Sequence, residues 1–164
     1  MLTAHELLGF MPAALSEEIL SFADTEDKPL YKATVAAVAQ ARKFRPVFLL
    51  QQPRARRHPT IVAALAKPAL DAAAQALLQA WLLKKQTALL CGFLDALGIA
   101  HKDGTVDTLP DTVDDAKLRA AVDGALARHA APVVAVYLNA FAGMNGAKWP
   151  LLDEMLRSDA RLQF

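Results

Sequence analysis

His101, Asp103 and Asp107 fall within one polar stretch, and Asp111, Asp114 and Asp115 follow closely behind. One imidazole beside hard oxygen donors is a set that can hold a divalent cation or, inside a cleft, pass a proton. The pattern of a calcium loop is not met: Asp103-Gly104 lacks the two preceding acids at alternate positions and the downstream Glu, so solvated turn residues and helix caps are the plainer reading. A second constellation is Arg42, Lys43, Arg45, Arg54, Arg56, Arg57 and His58, with Phe44 and Phe48 interleaved and no acid among them. Guanidinium forks match phosphates, and aromatic faces stack on bases, so this segment suits a phosphate-rich ligand or a nucleic-acid backbone with stacked bases. Cys91 is a third candidate, with His101 or His129 as its base. Its apolar helical neighbours would raise a thiol pKa, which favours a buried, inert cysteine.

Other chemistries lack their signatures. The three serines, Ser16, Ser21 and Ser158, sit in no Gly-x-Ser-x-Gly elbow. There is no His-Glu-x-x-His, no paired Cys-x-x-Cys and no glycine-rich phosphate loop. His5, His58 and His129 read as isolated residues near helix ends, Trp81 and Trp149 as anchors, and Tyr137 as a core residue whose hydroxyl finds a partner. No catalytic residue and no cofactor is expected.

The elements that position these residues are helical. Hydrophobic residues make up 54% of the 164, with only seven Gly and abundant Ala and Leu, a balance that favours helix. Thr3 with Glu6 forms a capping box; Pro12 and Pro29 open further helices, the second running to about Phe44. Pro46, Pro53 and Pro59 imply turns and loops, with Val47–Leu50 as the one plausible strand. From Leu70 to Leu97 the apolar period allows a helix of about 28 residues, roughly 42 Å long, with a break at Lys84–Thr87 as the competing reading. Gly98 should end it, His101–Val113 should be loop with a turn at Asp103-Gly104, and Thr112 or Asp114 should cap the next helix. Pro132 and Pro150 begin the last two. The expected architecture is a single all-α domain over 1–164, an irregular bundle of about six to eight helices around that long central one.

The net charge of +1 hides a segregation: residues 1–30 carry −5, residues 31–86 carry +9 and residues 87–164 carry −3. Either acidic flanks pack against the basic middle, or the basic middle is a patch for phosphate-rich ligands. The apolar run Ala72–Ala100 is interrupted by Lys84-Lys85 in its middle, which argues against a membrane span, since each lysine near a bilayer centre costs about 2.5–3.5 kcal/mol. With one cysteine and no basic leader at the amino terminus, a soluble protein of the reducing cytoplasm is expected.

The stretch Phe93-Leu94-Asp95-Ala96-Leu97-Gly98-Ile99-Ala100-His101-Lys102-Asp103-Gly104, on through Pro110, resembles a class of uncharacterised bacterial helical proteins. Val136-Tyr137-Leu138-Asn139-Ala140-Phe141 and Trp149-Pro150 are similar to the same class, over residues 84–156 in all. The resemblance implies an all-helical fold and carries no activity or catalytic residue with it.

The function that follows is that of a non-enzymatic protein-interaction module presenting the 42–58 segment or the 100–113 loop to a partner protein. Self-association is a further option, with Leu162 and Phe164 as a docking tail. Two alternatives remain open at this stage: an enzyme or metal-binding protein using His101, Asp103 and Asp107, and a nucleic-acid or phosphate binder using the arginine segment.

Overall fold

The computed structural model describes residues 1–164, which form ten α-helices and two short 3-10 turns without a β-strand. The helices are α1 (Ala4–Phe10), α2 (Ala13–Glu26), α3 (Lys28–Ala41), α4 (Pro46–Leu50), α5 (Arg54–Leu65), α6 (Asp71–Lys85), α7 (Thr87–Leu97), α8 (Asp115–Arg128), α9 (Ala131–Asn145) and α10 (Pro150–Ser158). The chain divides into two compact units, Thr3–Trp81 and Leu82–Phe164 together with Met1–Leu2. No single helix is long and apolar enough to cross a membrane.

Three expectations need correcting. The long central helix does not exist, because the chain leaves helical geometry at Gln86 (φ −116°, ψ 21°), ending α6 and starting α7. Lysines in the last turn of α6 complement its dipole, so the break falls where the polar residues interrupt the apolar run. Val47–Leu50 is not a strand but part of α4. Pro46 sits at the first helical position, where its missing N–H costs nothing, and the N–H of Gln51 closes the turn onto Val47 O at 3.0 Å. Pro59 lies inside α5, which begins at Arg54, rather than in a loop. The added α4 and the split at Gln86 raise the helix count above the six to eight expected.

In the Thr3–Trp81 unit, α2, α3 and α5 pack on one another and bury Ile19, Leu20, Val35, Val38, Ile61 and Leu65. Burying such a side chain fully stabilises the fold by roughly 1.5–3 kcal/mol. The α1 helix packs against α5, its start fixed by the capping box, in which the Glu6 carboxylate accepts from Thr3 N–H at 2.8 Å. The α4 helix packs against α3 and buries only Leu49.

In the Leu82–Phe164 unit, α7 packs on α8, while α9 and α10 meet each other and α8. Phe93, Tyr137, Phe141 and Trp149 form an aromatic cluster, with Phe93 edge-on to Tyr137 at 5.5 Å and to Phe141 at 5.6 Å. Trp149 is a core anchor whose indole N–H donates to Pro110 O at 3.1 Å, which ties the long loop to α10. Tyr137 departs from expectation, since its buried hydroxyl has no hydrogen-bond partner, and burial pushes its pKa up. Leu162 is no docking tail either: it is buried in a 3-10 turn packed on α9.

Of the two proposed caps, Asp114 is the one used, its carboxylate accepting from Lys117 N–H at 2.9 Å. Asp114→Ala is expected to lower stability by about 1 kcal/mol, read from the urea midpoint at unchanged slope. A loss below about 0.3 kcal/mol would mean the cap is redundant.

Candidate interaction surface

The fold divides the basic segment into residues paired with carboxylates and residues left unpaired. Arg54, Arg57 and His58 all stand on the first turns of α5, which lies against α2 and α3, so they meet the carboxylates of α2. Asp24 accepts from Arg54 at 2.8 Å and Arg57 at 3.3 Å, and Lys28 approaches it at 3.4 Å. His58 is 1% exposed, with Nδ1 at 2.9 Å from Glu17 Oε2 and Nε2 at 3.8 Å from Asp24 Oδ2. The Arg57 guanidinium also lies over the Tyr31 ring at 5.6 Å and donates to Leu50 O at 3.1 Å. These side chains are structural: they hold α5 against α2 and α3 by charge pairing between the acidic and basic zones.

This cluster has electrostatic consequences. His58 is not an isolated helix-end residue: with Nδ1–H donated to Glu17, Nε2 is an acceptor that cannot bond the Asp24 carboxylate and is left without a donor. Burial holds its pKa below the ordinary 6.5 and the charges of Arg54 and Arg57 act in the same direction, against the opposing pull of Glu17. At Asp24 burial acts to raise the pKa, but the hydrogen bonds and charges of Arg54 and Lys28 outweigh it and hold the carboxyl below its usual 3.8.

Both shifts make the protein acid-sensitive. A lowered histidine pKa means the unfolded chain binds more protons, so its contribution is complete above pH 6.5 and declines as pH falls below that value. Asp24 adds a second loss at lower pH, as its carboxyl becomes protonated. Denaturation at pH about 7.5 and about 5.5 should therefore give lower stability at the acid value, with a shallower dependence in His58→Gln. Stability that is flat or rising towards pH 5.5 would contradict this arrangement.

The other group consists of Arg42, Lys43, Arg45 and Arg56, all exposed and free of any ion pair. Between Arg45 and Arg56 runs α4, whose single buried side chain leaves Val47, Phe48 and Leu50 exposed by 50%, 57% and 44%. Phe44, half-buried, meets Phe48 with ring centroids 5.4 Å apart. Lys43 adopts φ +57° in the turn between α3 and α4, the corner that also carries Arg42 and Arg45. Exposed apolar side chains on a short, locally hydrogen-bonded helix thus follow directly on three unpaired cations in the chain. The cations and the two phenylalanines are visible in the sequence, whereas Val47 and Leu50, expected in a strand, lie on this helix. The available signal was Pro46, which marks a helix start.

The His101 loop is organised differently from a metal site. Lys102 and Thr105 exchange two backbone hydrogen bonds of 2.9 Å around Asp103 (φ +51°) and Gly104 (φ +85°), the two-residue turn that Asp-Gly favours. His101 Nδ1 accepts from Gly104 N–H at 3.2 Å and Nε2 lies 3.1 Å from Asp95 Oδ1, so both ring nitrogens are used in holding that turn. Asp103 and Asp107 are exposed, and no group of three or more His, Cys, Asp and Glu is placed to hold a metal ion. Cys91 is half-buried rather than buried; burial and the nearby Asp95 and Asp103 charges push its thiol pKa up, away from nucleophilic reactivity.

The same loop closes one wall of a groove of about 470 Å³, with Leu97, Ile99, Leu109, Pro110 and Val113 among its lining and Asp114 at its edge. Asp107, Asp111 and Asp115 are exposed beside it and form no ion pair. Comparison of the chain with protein-family models, with curated proteins and with solved structures finds no match.

Proposed function

We propose that this protein is a non-enzymatic interaction module whose docking element is the corner formed by residues 42–50. The observation that carries the reading is the exposure of Val47, Phe48 and Leu50 on α4, with the unpaired Arg42, Lys43 and Arg45 in the turn just before it and Arg56 on α5. Water exacts a cost for adjacent large apolar side chains left in contact with it, and such patches mark binding surfaces. Phe and Arg are also the residue types that anchor interfaces, the first filling a hollow and the second pairing with acids at its rim. The matching partner is a protein surface with an apolar hollow and acidic margins.

Two features weigh against the other readings. Arg54, Arg57 and His58 are satisfied by Asp24 and Glu17, which leaves a nucleic-acid backbone fewer cations than the sequence suggests. His101 spends both ring nitrogens on the loop, which supports neither proton transfer nor metal ligation.

The test compares capture by the full chain, by Val47→Ser/Phe48→Ser/Leu50→Ser, and by Phe10→Ser as a control at another exposed aromatic. A protein bound by the wild type and by the Phe10 variant, lost from the corner variant and released by salt, is the expected result. Equal capture by the corner variant would overturn the proposal. So would a bound fraction of nucleic acid with a steep salt slope, or binding to anionic vesicles alone.

A further inference from the structure

The corner calls for a partner surface that is apolar in its middle and acidic at its edge, and this chain carries one. The groove beside the His101 loop has Leu97, Ile99, Leu109 and Pro110 along it and Asp114 at its edge, and the free carboxylates of Asp107, Asp111 and Asp115 stand nearby. We propose that the corner docks onto a second copy of this chain, the Val47–Phe48–Leu50 face of one molecule entering the Leu97–Lys117 groove of the next. This inference rests on the reading of the corner as a docking element and names its occupant.

Charge and size both support the pairing. The 42–50 corner holds Arg42, Lys43 and Arg45 and no acid, with Arg56 on α5 a further unpaired cation, while residues 97–117 hold five acids, Asp103, Asp107, Asp111, Asp114 and Asp115, against Lys102 and Lys117. Opposite fields of this kind orient an encounter and exclude the wrong face. A groove of about 470 Å³ accommodates a phenylalanine side chain together with a flanking aliphatic one. Neither surface resembles itself: two corners repel each other, and so do two acidic grooves. The contact therefore joins unlike surfaces of two molecules, made once per pair in an open head-to-tail chain or twice in a reciprocal pair.

The contact is small, since only one short helix enters the groove. Interfaces well below about 1,200 Å² bind weakly, so association should appear only at high protein concentration and should fade as salt screens the rim.

Sedimentation of the full chain tests this with two variants whose changes are confined to exposed side chains. Phe48→Glu disables the corner and leaves the groove intact; Asp107→Lys/Asp111→Lys disables the groove and leaves the corner intact. Wild type is expected to shift to larger species with concentration at low salt, and each variant alone is expected to weaken this at least about tenfold. An equimolar mixture of the two should form a dimer and nothing larger, because one working contact remains between unlike molecules. Unchanged circular dichroism in both variants confirms that folding is intact. A wild type that stays monomeric, variants that associate like wild type, or a mixture that stays monomeric would each overturn the inference. If the wild type stays monomeric but still captures a different protein through Val47, Phe48 and Leu50, the inference falls and the corner reading stands. If capture too is indifferent to those residues, both fall.

Discussion

Asp24→Ala is expected to lower the unfolding free energy by about 2–4 kcal/mol, because it leaves the cations gathered at α5 without their counter-charge. Asp24 is the shared acceptor of Arg54 and Arg57 and stands nearest to His58 Nε2. Its side chain and that of Arg57 are each only 15% exposed, so water replaces the lost partner poorly. An exposed pair such as Arg161 with Asp123 is worth about 1 kcal/mol or less, since both ends remain solvated after either is removed. The contrast is measurable by urea denaturation, where Asp24→Ala should move the midpoint by about 1–2 M and Arg161→Ala much less. A double-mutant cycle with Arg57→Ala guards against other causes, since removal of Asp24 should cost less once Arg57 is gone. Additive effects, or a loss under about 0.5 kcal/mol, would show that the cluster does not act as a unit.

Gly104→Ala is the second large effect, expected at about 2–4 kcal/mol for the addition of one methyl group. Two costs combine there. The backbone has φ +85°, which a residue with a Cβ adopts reluctantly, and that Cβ would lie 2.6 Å from Leu90 Cβ and 3.0 Å from its Cδ2. The nearer atom is fixed to the α7 backbone, so the collision cannot be relieved by a rotamer change alone. Gly146 separates the two terms: it has φ +62° but nothing within 4 Å of an added Cβ, so Gly146→Ala should cost only about 1 kcal/mol. Equal thermal or urea shifts for the two variants would mean that Leu90 moves aside freely. Because Gly104 N–H also binds His101, the alanine should loosen the loop that walls the acidic groove.

Much of this fold is legible in the residues themselves. Local signals translated directly: the Thr3–Glu6 box, Gly98 in a left-handed cap at φ +71°, Asp114 as a cap, and prolines at the starts of α9 and α10. Each is decided within one turn of chain, where side-chain chemistry and backbone geometry act on adjacent atoms. The central spine failed because apolar spacing alone does not say whether helical geometry passes through a polar turn such as Lys84–Thr87. Val47–Leu50 failed because β-branched and aromatic content competes with Pro46, and a lone strand has no partner to satisfy its backbone.

The candidate surface was half-readable for a related reason. The acid-free run of cations is a property of composition, visible before any folding. Which of those cations are paired depends on Glu17 and Asp24, distant in sequence and brought to α5 only when α2 packs against it. Long-range pairing tied Arg54, Arg57 and His58 to the carboxylates of α2, with His58 buried and Arg54 still exposed, and left Arg42, Lys43, Arg45 and Arg56 unpaired in solvent. The exposure of Val47 and Leu50 likewise follows from how α4 sits on α3, with Leu49 alone pointing into the core. His101 carried the strongest appearance of chemistry in the sequence, and its geometry shows a residue employed in holding a turn.

The most direct measurement of the central claim places a photoreactive residue at position 48 of the full chain and another at position 10, and maps the adducts formed in cells that express the protein. Discrete protein adducts that arise from position 48, depend on Arg42, Lys43 and Arg45, and are absent from position 10 are the predicted result. An equal, indiscriminate yield from both positions, or none from position 48, would contradict it.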